Sequence, residues 1–207
     1  MRVHYDRDEL REEDLRADPF EQFGEWLQTA CESDMVEPNA MSLATVGADG
    51  RPTLRTVLLK SFDERGFVFY TNLESRKARQ IADNVNVSVL FPWLALHRQV
   101  AVNGAVERVP TSEALAYFVT RPFGSQIGAW ASPQSQVVSA RALLEAKFEE
   151  AKRKFREGRV PMPSFWGGFR VVPCDFEFWQ GRGHRLHDRF RYTRLEAGGW
   201  KIERLAP

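Results

Sequence analysis

From Ala40 onward the hydrophobic period is two rather than 3.6, and this alternation limits the possible folds more than any other feature of the chain. MSLATV, TLRTVLLK and FVFYTN are separated by the turn sequences GADGRP and DERG and read as an antiparallel meander. VNVSVLF and RQVAVNGAVERV continue it, and GFRVVP, FEFWQ, RLHDRFRYTRL and GWKIERLAP close the chain with further strands. Helical spacing appears in three places besides a helix that begins near Ser75. Asp18 as N-cap and Pro19 in the first turn open a helix whose inward stripe is Phe20, Phe23, Leu27 and Cys31. TSEALAYFVTRP is a short helix, and SARALLEAKFEEAKRKF is a longer one with Leu144, Phe148, Ala151 and Phe155 inward. Short strands, tight turns and few helices predict a mainly β fold, a closed or split β-barrel with peripheral helices. Residues 18–207 are expected to form one domain, and the polar residues 1–17 a mobile segment.

Composition removes several function classes. With 29 basic and 28 acidic residues among 207, a formal charge of +1 argues against general nucleic-acid or membrane-surface binding. No apolar run approaches the ~20 residues that span a bilayer, and the charged start MRVHYDRDELREEDLRADP lacks a signal-peptide core. Cys31 and Cys174 have no metal-ligand spacing, and His4, His97, His184 and His187 form no zinc-like group. A cytoplasmic protein with reduced thiols and no structural metal is expected. GxGxxG and Walker patterns are absent, which argues against a Rossmann or P-loop site.

Three segments carry chemistry. In FEFWQGRGHRLHDRF, read as a strand, Arg185, His187 and Arg189 share one face. Two guanidiniums beside an imidazole repel unless something anionic or π-rich lies against them; a solvated strand face is the competing reading. In YTNLESRKARQI, Tyr70 ends a strand, Asn72 to Glu74 turn, and a helix begins near Ser75. Arg76 and Lys77 then fall in its first turn, where the helix dipole disfavours cations. A phosphate docked there resolves the conflict, and a merely solvated pair is the alternative. In TLRTVLLK, Arg55 and Lys60 are five residues apart, so they serve different anions or a bulge intervenes. Tyr117 and Arg121, one helical turn apart, and Ser125, beyond Pro122 and Gly124, can converge on one phosphate with Lys60; a routine helix C-terminus would look similar.

EFWQGRGHRLHDR, with the ending WKIERLAP, resembles the signature of the pyridoxamine 5'-phosphate oxidase family, FMN enzymes that oxidise pyridoxamine 5'-phosphate or pyridoxine 5'-phosphate to pyridoxal 5'-phosphate. The likeness continues through RTVLLK, VFYTNLESRKARQI, RPFGSQIGAWASPQS and PSFWGGFRV, and so covers almost the whole chain. It implies an FMN-binding split barrel acting as a homodimer, with FMN in the interface. The matching flavin contacts are Arg55, Lys60, Tyr70, Thr71, Arg76, Lys77, Gln99, Gln134, Ser135, Trp179 and Arg189, with Gln134 and Ser135 reaching across the subunit boundary. Lys60, Tyr117, Arg121 and Ser125 match the substrate-phosphate contacts. Arg185 and His187 match the catalytic pair that covers the pyridine ring, and Arg2 and Tyr5 match residues that close over the substrate. Hydride transfer to flavin N5 and reduction of O2 to hydrogen peroxide follow from the resemblance, in vitamin B6 biosynthesis. A split-barrel flavin reductase of another substrate class, a non-catalytic flavin or pyridoxal phosphate carrier, and a nucleic-acid-binding barrel are the alternatives. The first would lack Tyr117, Arg121, Ser125, Arg185 and His187, all of which are present.

Overall fold

The alternating segments become strands wherever their turns allow: β1 (Ala40–Val46), β2 (Pro52–Leu58), β3 (Ser61–Asp63), β4 (Gly66–Asn72), β5 (Asn86–Trp93), β6 (Arg98–Arg108), β7 (Trp166–Gln180), β8 (Asp188–Arg194) and β9 (Trp200–Arg204). The computed structural model describes residues 9–156 and 159–207. All pairings are antiparallel, and the sheet runs β2-β1-β5-β6-β7-β4-β3, with β8 on β7 and β9 on β8. GFRVVP and FEFWQ, read as two strands, are one 15-residue strand. Its first half pairs with β4 and its second half with β8, so β7 changes partner midway. The β6–β7 register shifts at Asn103/Gly104, where a Cβ on Gly104 would overlap the Val172 carbonyl. This curling sheet with helices around it is a mainly β split barrel.

The helices are α1 (Pro19–Glu32), α2 (Arg76–Asp83), α3 (Thr111–Thr120), α4 (Phe123–Ala131) and α5 (Arg141–Lys154). Asp18 caps α1 by accepting the Phe20 N–H at 2.8 Å. The buried stripe of α1 is Phe20, Phe23, Trp26 and Ala30; Leu27 is only partly buried and Cys31 is exposed. Trp26 displaces the expected stripe because its ring meets Phe178 edge-on at 5.3 Å and lies under Arg98 at 4.5 Å. Phe23 touches the rings of Phe62, Phe67, Phe91 and Trp93, so α1 plugs the main core. A second cluster of Ala114, Phe118, Ile127, Val160 and Trp166 lies beneath α3 and α4. Of α5, Phe148 and Ala151 reach that cluster but no residue is fully buried.

The sequence reading missed α4. Pro122, where the preceding helix ends, stands at its N-cap, and Ile127 and Ala131 recur at i, i+4 on its buried side. Of the N-terminal segment expected to be mobile, residues from Glu9 onward make tertiary contacts. Leu10 is buried and its N–H reaches Asp188 Oδ2 at 3.2 Å, while Tyr192 donates to the Arg16 carbonyl at 2.8 Å. Arg2 and Tyr5 lie outside the described residues.

Candidate active site

Local chemistry at the start of α2 builds a cup of positive charge. Ser75 caps the helix, accepting the Ala78 N–H, and leaves Arg76 and Lys77 in the first turn as the sequence predicts. Arg76 points into solvent. Lys77 is 8% exposed, and its ammonium donates to Thr71 Oγ1 (2.9 Å), Gln134 Oε1 (2.8 Å) and Ser75 Oγ (3.3 Å). Thr71 in turn donates to Gln134 Oε1 at 2.9 Å. Arg55, half-buried on β2, donates to the Leu43 carbonyl (2.9 Å), to Thr45 Oγ1 (2.7 Å) and to Thr53 Oγ1. Gln80 on α2 accepts from both threonines at 2.7 Å and locks this edge to the helix. Among the described residues no carboxylate lies within ion-pair distance of Arg55, Arg76 or Lys77.

The lack of an anion leaves a signature in the acidities of Arg55 and Lys77. Burial lowers the Arg55 pKa, and the Arg76 charge lowers it further. Burial, with Arg55 next, lowers Lys77 from 10.5 to about 8. An anion placed here would restore the Lys77 proton, so anion binding takes up a proton at and above pH 8. Affinity for a phosphate-bearing ligand is therefore expected to be flat below about pH 7 and to fall as pH rises through 8, approaching tenfold per unit. The sign for folding is opposite: the apoprotein should gain stability over the window from 8 to 10.5, where the unfolded chain binds more protons. Ligand titration and thermal melts at pH 6.5 to 9.5 check both slopes.

Beside the cup lies a cavity of about 300 Å³ lined by Tyr70, Thr71, Arg121, Ser125, Gln134 and Trp166, among others. Tyr117, Tyr70 and Trp166 form a flat stack, with ring centres 4.2 Å apart for Tyr117–Tyr70 and 5.3 Å for Tyr70–Trp166. Gly168, opposite Tyr70 on β7, makes room for this stack; a Cβ there would stand 2.7 Å from the Tyr70 ring. The Arg121 guanidinium lies over Trp166 at 5.0 Å, and its Nη1 is buried with no hydrogen-bond partner among the described residues. A buried guanidinium N–H without a partner is costly unless a ligand completes it. Ser125 is exposed in the first turn of α4, one helix later than expected.

The remaining predicted residues gather at the other end of β7. Trp179 pairs with Gln99 on one side and Arg189 on the other. The strand reading of Arg185, His187 and Arg189 is corrected: β8 starts only at Asp188, and Gly183–Arg185 forms a 3-10 turn. His184 and Arg185 take positive φ (56° and 64°), a strained conformation for residues with a Cβ. The glycines around them supply the slack that a ladder would have removed. His187 Nδ1 accepts the Arg182 backbone N–H at 3.0 Å, and its ring meets Trp179 at 4.6 Å. Burial and the Arg185 charge lower its pKa, against the pull of Asp188. Arg189 is clamped by Glu177 (2.8 and 3.1 Å) and by the Ala206 carbonyl (2.7 Å), an anchoring the sequence did not reveal.

One further expectation changes. Lys60 lies beyond the end of β2, exposed, with its N–H on the Val68 carbonyl, so strand parity with Arg55 does not apply and no bulge is needed. Gln134 reaches Lys77 and Thr71 within the chain, and the neighbouring Ser135 is exposed at φ 70°. The roles of Ser75, Gln80, Thr45 and Trp166 escaped sequence reasoning. Only Ser75 had a legible signal, as a helix cap.

Within one chain the two ends do not meet. Eleven residues of β7 separate Gly168, beside the cavity, from Trp179, roughly 35 Å of strand at about 3.3 Å per residue. Trp179, Arg185, His187 and Arg189 are absent from the cavity lining.

Fold and cup together define a split-barrel protein with a cationic, carboxylate-free cup at one helix N-terminus. Residues 22–155 match the family model described as pyridoxamine 5'-phosphate oxidase, and residues 166–207 match that of the pyridoxine 5'-phosphate oxidase C-terminal dimerisation region. A pyridoxine/pyridoxamine 5'-phosphate oxidase of Rippkaea orientalis is 58% identical over all of this chain and 98% of its own length. One of Escherichia fergusonii is 57% identical over all of this chain and 94% of its own. The crystal structure of PhzG from Burkholderia lata 383, in complex with tetrahydrophenazine-1-carboxylic acid, superposes with a TM-score of 0.90 at 31% identity, covering 97% of this chain and 98% of PhzG. An FMN binding protein of Nostoc punctiforme, related to pyridoxamine 5'-phosphate oxidase, shares the fold, with a TM-score of 0.75 at 17% identity over 93% of this chain and 100% of its own. The chain belongs to the pyridoxamine 5'-phosphate oxidase family.

Proposed function

We propose that this chain is an FMN-dependent oxidase that converts pyridoxamine 5'-phosphate and pyridoxine 5'-phosphate to pyridoxal 5'-phosphate, with O2 reduced to hydrogen peroxide, in vitamin B6 metabolism. The observation that carries the reading is a pair of phosphate-seeking features side by side. One is the carboxylate-free cup of Arg55, Arg76 and Lys77; the other is the buried, unpartnered Arg121 nitrogen in the adjoining cavity. Two neighbouring anion sites suit a phosphorylated cofactor and a phosphorylated substrate. Relatives 58% and 57% identical with matching names support the assignment.

The cup fits the FMN phosphate: Lys77, Arg55, Arg76 and Thr71 would hold it, with Tyr70, Lys60, Gln134 and Ser135 nearby in the fold. Gln99, Trp179 and Arg189 would meet the flavin ring from the other end of β7. Tyr117, Arg121, Ser125 and Lys60 would hold the substrate phosphate, fixing the pyridine ring by its remote end. Bound FMN supplies the hydride acceptor and returns its electrons to O2. Arg185 and His187 orient the substrate ring and keep water from it. The bond from Arg182 N–H reserves His187 Nδ1 as an acceptor, so the neutral ring carries its proton on Nε2. Arg2 and Tyr5 would close over the substrate. The two ends of β7 come together when a homodimer shares each site, which the match to a dimerisation region supports. Among the described residues no helix is long and apolar enough to cross a membrane; a cytoplasmic enzyme without nucleic-acid or membrane partners is proposed.

The decisive experiment is the visible spectrum of FMN-loaded protein mixed anaerobically with pyridoxamine 5'-phosphate. The yellow band should bleach and return on admitting air, with one hydrogen peroxide formed per pyridoxal phosphate. A spectrum that shifts without bleaching would make the protein a carrier.

A further inference from the structure

Outside the cup, the most buried cation is Arg170 on β7, with a side chain 4% exposed. It meets three carboxylates from three elements. Nη1 is 2.8 Å from Asp63 on β3, Nη2 is 3.2 Å from Glu113 in the first turn of α3, and Nε is 3.7 Å from Glu107 on β6. Asp63 is also held by Arg65, and the two arginines draw its pKa down against the opposing effect of burial. One well-placed carboxylate can neutralise a buried guanidinium, so the second and third need another explanation.

Asp63 and Glu107 lie on strands that backbone ladders already fix. Glu113 differs, because α3 has no ladder and rests on the sheet through side chains only, Ala114 and Phe118 buried and Tyr117 stacked on Tyr70 and Trp166. Glu113 is one helical turn from Tyr117, on the same face. The helix ends at Thr120, immediately before Arg121. The ion pair therefore fastens one end of a short rod whose other end leads into Arg121 in the cavity wall and stacks Tyr117 on Tyr70, which lines the cavity. That end is held by ring contacts, with Phe118 edge-on to Trp166 at 5.0 Å and Arg121 over Trp166, and has no ion pair of its own among the described residues. The Tyr117–Tyr70 stack is nearly parallel, at 7°, and parallel rings slide over one another at low cost. The Arg121 carbonyl is held by Gln126 at 2.9 Å, but its Nη1 has no bond of its own.

We propose that Arg170, through its ion pair with Glu113, is a positioning residue that seats α3 on the sheet and so places Tyr117 and Arg121 for the substrate phosphate. The inference rests on the reading that this cavity takes that phosphate.

The test is a double-mutant cycle in the FMN-loaded enzyme with Glu113→Gln, Arg121→Ala and the pair, followed by steady-state kinetics with pyridoxamine 5'-phosphate. Glu113→Gln leaves Arg170 its bonds to Asp63 and Glu107, so folding and flavin content should be unchanged. Its KM is expected to rise about tenfold with kcat within about twofold, and the double variant should resemble Arg121→Ala alone. Independent, multiplicative KM effects would overturn the positioning role. So would an unchanged KM, or a lowered melting temperature as the sole effect. If Arg121→Ala leaves KM unaltered, the phosphate assignment of the cavity fails first, and the positioning role fails with it.

Discussion

Mixing Arg76→Ala chains with Arg185→Ala chains, each inactive alone, is expected to restore activity, with about half the wild-type rate per heterodimer. Arg76 opens α2 at the cup, whereas Arg185 lies in the turn after β7, at the far end of that strand. If each site takes its cup from one chain and its Arg185 turn from the other, a heterodimer contains one site with both defects and one with neither. Random exchange of equal amounts then yields about a quarter of the wild-type activity overall, since about half the dimers are mixed. Recovery is measured after subunit exchange has been verified by native mass spectrometry. Exchange without recovery would place both residues of a site on one chain and dispose of the shared-site dimer.

Lys77→Met should weaken FMN binding by one to two powers of ten, the ~1.5–3 kcal/mol of a charge-assisted hydrogen bond, while affinity for riboflavin stays nearly constant. The wild type should strongly prefer FMN to riboflavin, and the variant should lose most of that preference. Folding should suffer little, because the substitution removes a buried ammonium whose neighbours are neutral oxygens. Methionine also fills most of the space that the lysine stem occupies. Titrating the two apoproteins with both flavins by fluorescence quenching reads the effect. A variant that loses FMN and riboflavin equally would show that Lys77 supports the fold of the cup rather than a phosphate.

The positions of the strands along the chain are legible in the sequence. Period-two alternation and turn residues located nearly every strand, because a half-buried sheet writes its two faces directly into the sequence. The helix start near Ser75 and the misplaced cations after it marked the anion cup, since the helix dipole makes that placement unfavourable without a ligand. Arg185 and His187 were identified, but their geometry was misread: parity holds only inside a ladder, and a 3-10 turn with two positive φ values precedes β8. The helix α4 went unread: its two glycines have low helix propensity, which the burial of Ile127 and Ala131 overrides.

What the sequence determined by itself is therefore local: which segments alternate, where helices are capped, and which charges stand where a charge alone is unfavourable. What only the tertiary structure decided is which of those charges already have partners. Arg189 and Arg170 look in sequence like Arg55 and Arg121, yet the first two meet carboxylates while Arg55 meets neutral oxygens and Arg121 keeps a buried nitrogen unbonded. Partners such as Asp63 lie more than a hundred positions from Arg170. Electrostatic energy depends on distance in space, and the folding of β7 between β4, β6 and β8 sets that distance.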